Sequence, residues 1–201
     1  HTAIHSFPTR RSSDLLLMRG RVAVDRRPGL HLVRLDSTAP HNRRWIDAHG
    51  RLTAEDVEAA AAAVGEARPG ELVAVLLHHH VHPLPGDDVW ERLAGLVRLP
   101  WTAELDAGPA LLARVRGRCD LVLHGHRHVP AEAVLDGEAA RPLRVVNAGS
   151  TTRLGHARLF VHARGRITGE AWLTAGDPGR PDAPVVPARP LEVALPVAQA
   201  A

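Results

Sequence analysis

Two clusters of histidines follow apolar stretches in this sequence. Residues 74–85, AVLLHHHVHPLP, run from aliphatic side chains into three consecutive histidines. Residues 121–130, LVLHGHRHVP, run from aliphatic side chains into three histidines within five positions. Such apolar runs are typical of strands buried on both faces of a sheet, and their carboxyl ends lie at the edge where open α/β sheets build their sites. Imidazole is a common ligand of zinc, iron and nickel. The two clusters therefore predict a shared metal site.

The segments around the clusters have the pattern of an α/β protein. Strands are predicted at residues 21–25, 30–37, 71–77 and 119–125. Helices are predicted from an N-cap at Thr53 to residue 67, near residues 88–97 and near residues 108–116. The alternation of strand and helix indicates parallel pairing with right-handed crossovers.

The chain beyond residue 131 is predicted to be antiparallel. It contains short alternating runs at residues 131–137, 142–150, 157–164 and 166–173. The last two are separated by Arg164 and Gly165, which predicts a hairpin.

The composition is that of one globular domain. The chain has 201 residues, of which 45% are hydrophobic, and contains no apolar run of the roughly 18 residues that would span a membrane. The net charge of +3 is small, and no basic block is interleaved with aromatic residues, so a nucleic-acid partner is not indicated. Cys119 is the single cysteine, and the first residues lack the apolar core of a secretory signal. Both features indicate a reducing, cytoplasmic compartment.

Both ends of the chain are expected to lie outside the folded domain. Residues 6–14, SFPTRRSSD, resemble the translation of a sequencing adapter. Residues 1–14 are therefore expected to be a non-native segment, and the coding sequence is expected to be cut at its 5′ end. Residues 175–201 are rich in proline and have no hydrophobic period, which predicts a disordered tail. The domain is expected to cover residues 15–174.

The histidine motifs resemble those of the calcineurin-like, or binuclear, metallophosphoesterases. That family carries Asp-x-His, Gly-Asp-x-x-Asp, Gly-Asn-His, a histidine-rich strand end and Gly-His-x-His, in this order. Residues 76–85 are similar to the fourth motif, and HGHRH at residues 124–128 is similar to the fifth. The resemblance covers about residues 21–173. It implies an α/β fold, a β-sandwich flanked by helices, truncated at its N-terminal half because the first three motifs are absent.

The resemblance also implies ligands and a mechanism. In the parent enzyme, two divalent ions of manganese, iron or zinc would bind a hydroxide that attacks the phosphorus of a small phosphomonoester or phosphodiester. His78 and His126 would bind one ion, and His128 would help to bind the other. His79 and His80 are candidates for contacts to the substrate or to the ligands. No catalytic residue is assigned.

The absent motifs would also weaken the site in this chain. Without a bridging carboxylate, two cations a few ångströms apart repel each other, so at most one weakly held ion is expected here. We therefore expect no phosphoesterase activity from residues 15–201 alone. The apolar strand at residues 71–77 is expected to lack its usual cover, because half of the sheet would be missing.

Three other interpretations compete with the phosphoesterase. A metallo-β-lactamase-like hydrolase also clusters histidines, but HHHVH lacks the aspartate of the pattern His-x-His-x-Asp-His. The histidines would alternatively form a structural or storage metal site, which tight one-to-one zinc binding would favour. A binding module that uses the sheet surface has no positive feature in the sequence.

Overall fold

The fold is built on a six-stranded mixed sheet. The structure, a computed structural model, describes residues 21–38, 50–82, 105–126, 130–136, 140–149 and 155–174. The strands are β1 (Val22–Arg27), β2 (Leu30–Leu35), β3 (Leu72–Leu76), β4 (Leu121–His124), β5 (Ala131–Leu135), β6 (Leu143–Asn147), β7 (His156–Ala163) and β8 (Arg166–Thr174). The helices are α1 (Ala54–Gly65) and α2 (Gly108–Val115). The main sheet has the order β1-β2-β3-β4-β6-β5, and β7 and β8 form a second sheet.

The predicted α/β pattern is confirmed within the described ranges. Strand β2 pairs in parallel with β3, and β3 pairs in parallel with β4. Strands β7 and β8 form the predicted antiparallel hairpin, with positive φ angles at Arg164 and Gly165 in its turn. The predicted helix near residues 88–97, the segment 1–14 and the predicted tail at 175–201 lie outside the described residues. No helix in the described ranges is long and apolar enough to cross a membrane.

The prediction of a wholly antiparallel part after residue 131 is wrong for β6. This strand pairs antiparallel with β5 but in parallel with β4, so it belongs to the interior of the main sheet. An alternating pattern specifies which face of a strand is buried, but it does not specify the direction of the neighbouring strand. The path of the chain between β4 and β6 decides that direction.

Helix α1 begins at a capping box. The side chain of Thr53 accepts a hydrogen bond from the amide of Asp56 at 3.2 Å, and the Thr53 amide donates to the Asp56 carboxylate at 2.9 Å. These reciprocal bonds satisfy two amides that a helix start leaves without partners. The buried face of the helix, which includes Val57, Ala60 and Val64, belongs to the main core with β2 and β3.

Both faces of β3 are covered. Val73 and Val75 belong to the main core together with buried residues of both helices, such as Val57 of α1 and Leu111 of α2. Leu72 and Ala74, on the opposite face, form a second cluster against which Ile167 of β8 packs. The side chains of residues 72–75 are at most 5% exposed. The expectation that this strand lacks cover is therefore wrong, because the β7–β8 hairpin contributes to its second face.

An ion-pair network joins the two sheets. Arg144 of β6 contacts Glu132 of β5 at 2.7 Å and also contacts Glu170 of β8. Arg158 of β7 contacts the same two carboxylates, each at 2.7 Å, and its guanidinium lies over the ring of Phe160. Each ion pair in this partly buried network is strengthened by the others, so the strength of the network depends on the ionisation of every member. We therefore expect the attachment of the hairpin to be sensitive to acid.

We expect Glu170→Gln to reduce the acid sensitivity of folding. Hydrogen bonds from Arg144 and Arg158 lower the pKa of Glu170 from 4.5 to about 2. A carboxylate with a lowered pKa stabilises the fold above its unfolded pKa and loses that contribution as the pH falls through the folded value. The wild-type free energy of unfolding should therefore fall between pH 4.5 and about 2. The variant should lose about 1 kcal/mol at pH 7 and show a shallower decline.

Urea unfolding at pH 7, 5 and 3 measures this difference. Glu58→Gln is the matched control, because Glu58 forms an exposed ion pair with Arg114 on the helices. Exposed pairs contribute little to stability, so this control should follow the wild-type profile. Parallel profiles for wild type and Glu170→Gln would contradict the proposed role of the network.

Candidate metal site

Strands β3 and β4 carry the two histidine clusters to the same edge of the main sheet. Beyond the ends of these strands, the Leu77 amide donates to the Leu123 carbonyl at 3.1 Å. The Gly125 amide donates to the His78 carbonyl at 3.0 Å. These bonds continue the parallel ladder past the last strand residues, so the two histidine-bearing segments are held side by side.

Three histidines converge at this edge. One ring nitrogen from each of His78, His79 and His126 lies within 4.8 Å of the others. Nδ1 of His126 is 3.4 Å from Nε2 of His78, and the His79 ring centroid is 4.8 Å from the centroids of both other rings. Nitrogens bound to one tetrahedral zinc are about 3.3 Å apart, because Zn–N bonds are about 2.0 Å long. The separation of 3.4 Å between the nitrogens of His126 and His78 is already close to this spacing.

The backbone at His126 adopts an uncommon conformation. Its φ angle is 70°, in the left-handed region that residues other than glycine seldom occupy. The His126 ring lies beside His78 and stacks on the ring of His80, with centroids 5.6 Å apart and planes 12° apart. Strained backbone of this kind clusters at functional sites, because the surrounding structure has to hold it. The turn after β4 is therefore held in a conformation that presents His126 to the cluster.

Burial lowers the pKa of two histidines at this edge, His78 and His124, and so favours their neutral form. Burial lowers the pKa of His78, although His78 is the most exposed of the three clustered histidines. Burial also lowers the pKa of His124 to about 4, and the ring of His82 lies 5.9 Å from it. Metal ions compete with protons for the ring nitrogen, so a lowered pKa favours binding near neutral pH.

The cluster contains imidazole donors alone. Within the part of the chain that the structure describes, no carboxylate or thiol joins the group of convergent ligand atoms. Neutral nitrogen donors suit zinc, copper, iron and nickel, whereas magnesium and calcium prefer oxygen. The donor set therefore fits a transition metal better than magnesium or calcium. A binuclear centre requires further, negatively charged ligands.

The structure brings some of the predicted site residues together, and one of them lies outside the described residues. His78 and His126 lie together, whereas His128 lies outside the described residues. His79 lies within the cluster, and His80 is buried and stacks on His126. The metal roles of these residues stay predictions.

Sequence reasoning missed two residues that contact His79. The hydroxyl oxygen of Ser37, just after β2, lies 2.9 Å from Nδ1 of His79. A Cβ atom at Gly50 would lie 2.5 Å from Cγ of the same ring, so the backbone at residue 50 packs directly against it. Ser37 is 42 residues away from His79 along the chain. No local pattern in the sequence could have indicated this contact.

Comparisons with known proteins do not identify the function of this chain. No family model matches the chain, and no curated protein matches it. Among solved structures, it is similar to the Thermus thermophilus sulfate thiohydrolase SoxB in complex with glycerol, with a TM-score of 0.38 and 14% identity. The similarity covers 77% of this chain and 24% of SoxB. A similarity of this degree assigns neither family nor activity.

Proposed function

We propose that this chain supplies histidine ligands to a metal-dependent phosphoester hydrolase of the calcineurin-like type. The observation that carries the proposal is the convergence of His78, His79 and His126 at the carboxyl edge of two neighbouring parallel strands. This edge is where α/β sheets place their sites. The three histidines also belong to the two motifs that resemble that family. The proposed substrate is a small phosphomonoester or phosphodiester, and the proposed metals are manganese, iron or zinc.

A bound divalent ion would supply the Lewis acidity that phosphoester hydrolysis needs. The residues of this chain would bind and orient that ion. His78 is the exposed member of the cluster, so a substrate would approach from its side. His79 and His80 are buried and exclude water from the inner side, where a low dielectric strengthens electrostatic interactions.

We propose that catalysis also needs carboxylates from outside the described residues. Two divalent cations 4 Å apart repel each other by about 16 kcal/mol at an effective dielectric constant of 20. Imidazoles carry no charge to offset this repulsion. The described cluster is therefore proposed to hold one ion, and turnover is proposed to require the carboxylate motifs of the family.

The decisive experiment extends the chain. The genomic sequence upstream of the codon for Leu15 is determined, and the protein is produced with and without the upstream residues. Hydrolysis of bis(p-nitrophenyl) phosphate is then measured with manganese. We expect turnover in the extended protein, a loss of at least about 100-fold in kcat/KM with His78→Ala, and no turnover by the shorter chain.

A matched control separates loss of a ligand from loss of a histidine. His162→Ala removes a histidine from β7, which lies in the two-stranded sheet and outside the cluster. The extended protein should keep its activity with this change. An upstream frame without Asp-x-His and Gly-Asp-x-x-Asp, or equal turnover by His78→Ala and wild type, would refute the proposal.

A non-catalytic zinc site is the second candidate function. The observation that favours it is the imidazole-only donor set, because zinc binds nitrogen ligands in structural sites. A ligand that binds only the folded state at 1,000 times its Kd stabilises that state by about 4 kcal/mol. One-to-one zinc binding with a large rise in Tm, together with an inactive extended protein, would support this function and exclude the hydrolase.

A further inference from the structure

We infer that residues 191–197, LEVALPV, dock beside strand β7 and add a third strand to the two-stranded sheet. This contact is independent of the proposed metal site. Within the described residues, the sheet consists of β7 and β8 alone, so the outer edge of β7 has no strand partner there. A two-stranded hairpin is only marginally stable by itself in water, and a third strand with an apolar face adds stability.

The outer face of the hairpin is apolar and exposed. Arg158 contacts the main sheet, so the next residue, Leu159, lies on the opposite, outward face. Leu159 is 41% exposed, and Val161 on the same face is 49% exposed. They pair with Ala171 and Gly169 of β8, so the centre of this face carries no charge. Natural sheets protect such strands with charges, prolines or a covering segment, and a covering segment is therefore expected here.

Residues 191–197 have the pattern of a strand with one apolar face. Over its whole length, the segment 175–201 has no hydrophobic period, but this part of it alternates. Four aliphatic residues occupy its odd-numbered positions: Leu191, Val193, Leu195 and Val197. In a strand, their side chains would lie on one face and would continue the apolar outer face of the hairpin. Glu192 is the one charged residue in this stretch, and its side chain would lie on the other face.

The prolines determine which edge of this strand can pair. The N–H and C=O groups of one strand residue point to the same edge, and those of the next residue point to the other edge. Pro190 and Pro196 both occupy even-numbered positions, so the N–H groups that they lack fall on one edge. The other edge, formed by Leu191, Val193 and Leu195, keeps every donor. Prolines are tolerated in a strand where this edge faces solvent, so the complete edge is the one that faces β7.

The connecting segment is long enough to deliver the strand to β7. Strand β8 ends at Thr174, and the 16 residues 175–190 precede Leu191. A proline-rich segment of this length spans up to about 50 Å, at about 3.1 Å per residue. Strand β7 has 8 residues, which corresponds to about 26 Å. Because the segment belongs to the same chain, its effective concentration at the hairpin is on the order of millimolar, which favours it over a second copy of the chain.

Residue-resolved amide hydrogen exchange and methyl NOEs of the full chain test this contact. After correction for intrinsic rates, the amides of Val193 and Leu195 should exchange at least about 10-fold more slowly than those of Glu192 and Ala194, because the odd-numbered positions pair with β7. Methyl NOEs should join the odd-numbered positions to the outer face of β7. Unprotected amides throughout residues 191–197, or NOEs to another part of the chain, would overturn the inference.

A charged substitution in the segment provides the matched comparison. Leu195→Asp should remove the protection of residues 191–197 and should speed the exchange of β7 amides about 10-fold. Ala188→Asp places the same charge in the connecting segment and should leave both sets of rates at their wild-type values. Equal β7 exchange in Leu195→Asp and wild type would overturn the inference. Protection that rises with protein concentration would mean that the segment binds a second copy of the chain, and it would overturn the inference as well.

Discussion

Replacement of His126 by alanine is expected to weaken zinc binding by this chain at least about 100-fold. The ring supplies one of three convergent nitrogens, and Nδ1 lies 3.4 Å from Nε2 of His78. Its removal leaves two donors, with the missing positions filled by water. Because loss of a mere supporting contact already costs about 10- to 100-fold in affinity, loss of a direct ligand should cost more. Chelator competition at pH 7.5 measures the two dissociation constants.

The control for this prediction is a variant with the same number of histidines as His126→Ala. His162→Ala also removes one imidazole, but it lies in β7 and outside the cluster. Zinc affinity should be unchanged in this variant. A dissociation constant for His126→Ala within about threefold of the wild-type value, on the same assay, would show that His126 is not a ligand. Circular dichroism of both variants checks that the fold is retained.

Replacement of Leu111 by alanine is expected to lower the free energy of unfolding by about 2 to 5 kcal/mol. Leu111 in α2 is fully buried in the main core, which also contains Val75 of β3 and Val122 of β4. The truncation removes apolar contacts and leaves a cavity that the surrounding side chains fill only in part. Domains of this size are stable by about 5 to 15 kcal/mol, so the loss is a large share of the total. Urea unfolding at pH 7 measures it.

An exposed leucine gives the matched comparison for the core variant. Leu159 on β7 is 41% exposed, and its replacement by alanine should change stability by less than about 0.5 kcal/mol. A loss below about 1 kcal/mol for Leu111→Ala would contradict the packing of α2 against the sheet. The folded fraction of Leu111→Ala should still bind zinc, because Leu111 is not one of the clustered histidines.

The sequence by itself indicated the described strands and helices, and it indicated that two strand ends carrying histidines lie at one edge of the sheet. The apolar runs before His78 and His126 predicted buried neighbouring strands, and β3 and β4 pair in parallel as expected. The N-cap at Thr53 could also be predicted, because the residues that form it lie within a few positions of the helix start. These features depend on local periodicity and local hydrogen bonds, which the order of residues encodes directly.

Only the tertiary structure decided the parallel pairing of β6, the cover on β3 and the contacts of His79. The direction of β6 follows from the path of the chain, and the cover comes from a hairpin about 95 residues later. Ser37 and Gly50 meet His79 because β2 and the segment before α1 pack beside β3. Such contacts join residues that are distant in sequence, and no local pattern records them. Packing selects them when the chain folds.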